Sequence, residues 1–131
     1  TEAVLLPAFK APRGLPRIER IFTQWIDWAG NPRHPGGCIF PQAISELDDR
    51  EGRPHDVLVE TQKNLIDTLA RSAQLAIDEG HFAKDCDPRQ FAFELYSIIL
   101  MLNAYRRLLK DKKAVERARA AFDRLVKSYR P

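Results

Sequence analysis

The sequence predicts an all-α domain of five helices, preceded by the remnant of a further one. Three observations carry that prediction. Apolar residues recur in steps of three and four along most of the 131 residues, the period of helices with one buried face. No stretch alternates apolar and polar residues with the two-residue period of a half-buried strand. The 9 Pro and 6 Gly gather largely between the periodic segments, where they act as breaks.

In chain order, Thr1-Glu2-Ala3-Val4-Leu5-Leu6-Pro7 reads as the end of a helix, stopped by Pro12 and Gly14. Pro16 suits a first helical turn, and Ile18, Ile21, Phe22, Trp25 and Trp28 or Ala29 follow at amphipathic spacing until Gly30-Asn31-Pro32. A Pro- and Gly-containing loop, 31–37, leads to Cys38–Leu47, apolar on almost every side and therefore expected to be central, with Pro41 kinking it or lying in its first turn. After the polar turn Asp48–Gly52, a helix of about 26 residues and roughly 39 Å is predicted over Pro54–Glu79. Its stripe is Leu58, Leu65, Ile66, Leu69, Ala73, Ala76 and Ile77, and Gly80 is placed to cap it. Asp87 then serves as N-cap, Pro88 as first residue and Gln90 as the reciprocal capping-box residue of a helix expected to reach Lys110. A last helix carries Val115, Ala118, Phe122, Leu125 and Tyr129.

Composition narrows the function classes. The chain is 44% hydrophobic and 30% charged, an ordinary balance for one folded domain. Its 21 Lys and Arg against 18 Asp and Glu leave a formal charge of only +3, with no basic block dense enough to neutralise a row of phosphates. Cys38 and Cys86 make no disulfide framework, so both thiols are expected free in a reducing, cytoplasmic setting. The apolar run Ser97–Leu102 is far short of the roughly 20 residues a bilayer demands, and no signal peptide is recognisable. The first residue is Thr1 rather than Met, which suggests a piece of something longer.

No carrier of catalysis is visible. His34, His55 and His81 are scattered, and neither a His-Glu-x-x-His helix nor a Gly-x-Ser-x-Gly elbow is present. His81, Asp85, Cys86 and Asp87 approach a metal set only in number; a capping turn accounts for the acids. Glu46, Asp48, Asp49 and Glu51 read as an exposed turn. No metal, cofactor or catalytic residue is therefore expected. Trp25 and Trp28 either fill the core or line an apolar cavity. Tyr96 and Asn103 are polar handles on an apolar helix, and Tyr96 is either a satisfied core tyrosine or a hydrogen-bond donor to a ligand.

The helix from Asp87 has two apolar faces. One is a seam of Phe91, Leu95, Ile98, Leu102, Tyr105 and Leu109; the other carries Phe93, Tyr96, Ile99 and Leu100. A domain of this size needs one interior, so the second face calls for cover. Together with the last helix, Leu95, Ile98, Leu102, Tyr105, Ala118, Phe122 and Leu125 suit a four-helix interface made by two copies. Arg106, Arg107, Arg117, Arg119 and Arg124 would form its polar rim. The alternative is that a part of the protein outside this sequence covers the face.

Three local patterns belong together: Arg13-Gly14-Leu15-Pro16-Arg17-Ile18 running to Trp28, Pro35-Gly36-Gly37-Cys38-Ile39-Phe40, and Asp78-Glu79-Gly80-His81-Phe82 before Asp87-Pro88. With them the whole chain resembles the C-terminal regulatory domain of TetR/AcrR-type bacterial transcriptional repressors. The resemblance implies one domain over 1–131, an orthogonal helical bundle, with 1–9 the remnant of a connecting helix and a DNA-binding helix-turn-helix domain lying outside the sequence. It also implies a homodimer through the last two helices and a pocket for a small, mostly apolar effector. By helix, Trp25, Trp28, Phe40, Ile44, Leu69, Phe93 and Tyr96 would border that pocket. DNA would be contacted only through the absent domain, and no membrane is involved. The competing class is a stand-alone helical small-molecule-binding or scaffold protein with no role on DNA; a helix-turn-helix within roughly 50–80 residues upstream would decide between them.

Overall fold

A computed structural model describes residues 12–30 and 53–131. Among these residues it has four helices and no strand: α1 (Leu15–Gly30), α2 (Arg53–Asp78), α3 (Pro88–Arg107) and α4 (Ala114–Tyr129). The expected helix Cys38–Leu47 and the remnant 1–9 lie outside the described residues. α2 packs on α3, α3 on α4, and α1 on α2. α1 also reaches α4, through Phe22 and Phe122.

The α2–α3 connection shows how sequence chemistry sets these angles. α2 stops because Gly80 adopts φ +81°, a left-handed conformation with little cost only for glycine. The Gly80 amide then donates to Ile77 O (3.0 Å) and that of His81 to Ala76 O (2.8 Å), the paired bonds of a Schellman motif. The reversal drives Phe82 inward, where it is buried and meets Phe91 and Tyr129 at ring separations of 5.1 and 5.6 Å. Phe91 and Tyr129 complete the triangle edge-on at 5.0 Å. The Asp87 carboxylate accepts from the Arg89 amide (2.9 Å), and Pro88 opens α3 as expected.

The same turn anchors two other elements. The Leu15 amide, at the free N-terminal end of α1, donates to His81 Nδ1 (3.0 Å). The Ala83 amide donates to Tyr129 O (2.8 Å), and the Cys86 thiol to the same carbonyl (3.4 Å). Burial pushes the Cys86 thiol above its ordinary pKa. The Tyr129 hydroxyl donates to Glu94 Oε2 (2.7 Å), so the end of α4 is tied to both the turn and α3.

α3 is shorter than the sequence suggests. Its helix closes at Arg107, with the Leu108 and Leu109 amides both turning back to Ala104 O and Lys110 at φ +55°. Leu109 therefore leaves the seam and is 59% exposed. Asp111 organises the entry to α4 instead. Its carboxylate accepts from the Lys113 amide (2.9 Å) and from Arg117 Nε (2.8 Å), and these two partners hold its carboxyl below the usual carboxylate range.

Candidate functional site

Three helices converge on one aromatic–amide group. Trp25 of α1, 2% exposed, faces Tyr96 of α3 with ring centroids 6.2 Å apart and planes tilted by 43°. The Tyr96 hydroxyl donates to Gln62 Oε1 of α2. Leu69, two helical turns beyond Gln62 on the same side of α2, is also buried. Further along α3, Arg106 donates to Ile26 O (3.4 Å), so α1 touches α3 at two levels, near Tyr96 and near Arg106. Asn103 lies between them. It is 8% exposed and its Oδ1 accepts no hydrogen bond; the buried Nε2 of Gln62 likewise donates none. Buried amide atoms without partners are rare in folded proteins, because losing water costs them about 1–3 kcal/mol each.

Of the residues the sequence pointed to for a pocket, the structure brings Trp25, Leu69 and Tyr96 into one interior. Phe93 does not join them: at 68% exposure it stands on the outward side of α3. The side chain of Trp28, and Phe40 and Ile44 entirely, lie outside the described residues. Gln62 was missed by sequence reasoning. Its signal was a polar residue at helical spacing from Leu58, Leu65, Ile66 and Leu69, a pattern that an exposed glutamine also gives.

The second apolar region is a groove of about 430 Å³ on the outer side of α3 and α4. Its walls are Ser97, Ile98, Met101 and Tyr105 from α3 and Arg117 and Ala121 from α4, above a floor that includes Leu102 and Ala118. The seam residues divide accordingly. Ile98 and Tyr105 reach the groove, whereas Leu95, Phe122 and Leu125 turn into the chain's own core. Leu102 and Ala118 are buried at the junction. The physical reason is that α3 buries Phe91, Ala92, Leu95, Tyr96, Ile99, Leu102 and Asn103, a stripe wide enough to include residues of both predicted faces. What remains outside is a narrower band, led by Phe93 and Met101. The rim arginines are partly engaged within the chain: Arg117 with Asp111, Arg106 with Ile26 O, and Arg119 over the Phe22 ring at 5.8 Å.

Among the described residues no three His, Cys, Asp or Glu side chains gather as a metal site, and no helix is long and apolar enough to cross a membrane. Among the described residues, four helices enclose an amide-bearing interior and leave an apolar groove along the last two. The chain belongs to the family described as tetracyclin repressor-like, C-terminal domain, whose model matches residues 14–122. That match spans the convergence of α1, α2 and α3 and the first half of α4. No curated protein matches the chain.

Proposed function

We propose that this domain is the effector-sensing and dimerising part of a cytoplasmic bacterial transcriptional regulator. A small, mostly apolar molecule enters the interior beside Trp25, Leu69 and Tyr96. Two copies associate through the outer face of α3 and α4. DNA is bound by a helix-turn-helix domain, joined through a connecting helix of which residues 1–9 are the end. Effector binding then shifts a population. A ligand that fits one arrangement of the interior better than another biases the spacing of two distant reading heads. A hundredfold change in DNA affinity takes only about 2.7 kcal/mol of differential binding.

The observation that carries this reading is the meeting of Trp25, Tyr96 and Gln62, one from each of three helices. A ligand lodged there would touch α1, α2 and α3 together, and α1 is the first described helix after residues 1–9, the end of the connecting helix in this reading. The groove beside Ile98, Met101 and Tyr105 supports the dimer, since an apolar channel with the exposed Met101 in its wall suits a self-complementary contact.

The test is a thermal-shift screen of the purified chain against neutral apolar compounds, followed by intrinsic tryptophan fluorescence and native mass spectrometry. The expected result is a subset of compounds that raise Tm, change the Trp emission and add one mass per protomer to a dimer. A monomer that no neutral compound stabilises would overturn the reading.

A further inference from the structure

We propose that Asn103 and Gln62 are the specificity-determining residues of this interior, and that its ligand is a neutral molecule carrying a hydrogen-bond donor and an acceptor on an apolar body. The inference rests on the sensing reading above and names the chemistry of the same site.

Asn103 is more than nine-tenths buried, yet its Oδ1 has no donor, and Gln62 Nε2 is buried with no acceptor. Both atoms belong to side chains that border the α1–α3 contact. Gln62 is held there by the Tyr96 hydroxyl, and Asn103 lies on α3 between the two residues that touch α1. Tyr96 and Asn103 are seven residues apart on one helix side, so their backbones are separated by about 10 Å along the axis, the length of a small ring compound with a substituent at each end. An open carbonyl oxygen calls for a donor, and an open amide N–H for an acceptor. Neither amide carries a formal charge, and the Arg106 guanidinium at the far end of the contact is already engaged with Ile26 O, so the two open atoms favour a neutral ligand over an ionised one. Apolar contact with the Trp25 and Tyr96 rings supplies the rest of the recognition. An interior built only for packing would carry an apolar residue of the same volume at 103. The amide is retained at a stability cost that a ligand donor removes.

The experiment uses the full chain with two probes of similar size, para-hydroxyacetophenone, which has one hydroxyl donor and one ketone acceptor, and para-ethyltoluene, which has neither. The wild type should bind the hydroxyketone about fivefold or more tightly than the hydrocarbon, by Trp fluorescence. Asn103→Leu should bring the two probes within about twofold of each other while raising the Tm of the ligand-free chain by about 3 °C or more, because an unsatisfied amide has been replaced by an apolar isostere. Should Leu not be accommodated, Asn103→Ala removes the same amide without added bulk, and the probe ratio alone decides. A wild type that binds both probes equally, or an Asn103 variant that keeps the preference, overturns the inference. If neither probe binds but the neutral-compound screen yields other ligands, the inference fails and the sensing reading stands. If the screen also yields nothing, both fail.

Discussion

Phe22 of α1 and Phe122 of α4 stack with ring centroids 4.2 Å apart and planes within 4° of parallel. This contact closes the described helices into one core, since it is the ring of the last helix that receives the first. It also decides the role of Phe122, which spacing alone had placed at an interface between copies. Phe122→Ala should therefore unfold rather than merely separate protomers, at a cost of about 3–5 kcal/mol for a buried aromatic. Urea denaturation checks this, and a variant with unchanged midpoint that had become monomeric would return Phe122 to the interface.

Met101 shows the converse. It is 56% exposed and stands in the wall of the α3–α4 groove. Met101→Lys should leave the Tm of dilute protein within about 1 °C, as surface changes do, and weaken self-association by on the order of tenfold. Sedimentation across a concentration series reads both states. An undiminished dimer would place the interface elsewhere.

Gly14 and Gly80 separate two reasons for a glycine. Both have positive φ, at +90° and +81°. A Cβ on Gly14 would lie 2.5 Å from His81 Nδ1, while one on Gly80 meets nothing within 4 Å. Gly80→Ala should cost about 1 kcal/mol from backbone strain alone. Gly14→Ala should cost distinctly more, because the imidazole that accepts from the Leu15 amide must move. Equal losses in chemical denaturation would show that His81 yields freely.

Tyr129 should make stability fall at alkaline pH. Burial, followed by its hydrogen bond to the Glu94 carboxylate, raises its pKa above the ordinary tyrosine value. A raised folded pKa gives a contribution that is complete below the unfolded value of ~10 and is lost as pH climbs toward the folded one. Urea midpoints measured from about pH 9 to about pH 11 should decline less steeply in Tyr129→Phe than in the wild type. Parallel declines would mean that Tyr129 ionises no later in the folded chain than in the unfolded one.

Much of the described architecture was legible because it depends on local chemistry. The Gly80 cap and the Asp87-Pro88 start are each specified within a few residues, and so the α2–α3 turn could be placed without knowing what it packs against. The end of α3 was less legible. Leu108 and Leu109 continue the apolar pattern, but the backbone leaves the helix after Arg107, and periodicity carries no signal for a turn made by an Asp four residues on.

By itself the sequence determined an all-helical class, the family resemblance, the limits of α1, α2 and α4 to within a few residues, and Trp25, Leu69 and Tyr96 as interior residues. Those follow from period, caps and side-chain size, which act along the chain. Only the tertiary structure decided that α3 buries one stripe drawn from both of its predicted apolar faces. Helical spacing gives the angle between residues on one helix but not the rotation of that helix against its neighbours. That rotation is set by what the other helices supply: Phe22 against Phe122, the Phe82–Phe91–Tyr129 triangle, and Gln62 against Tyr96. The same rotation buries Leu95, leaves Met101 in the groove, and sets Asn103 in the interior with an oxygen that accepts no hydrogen bond.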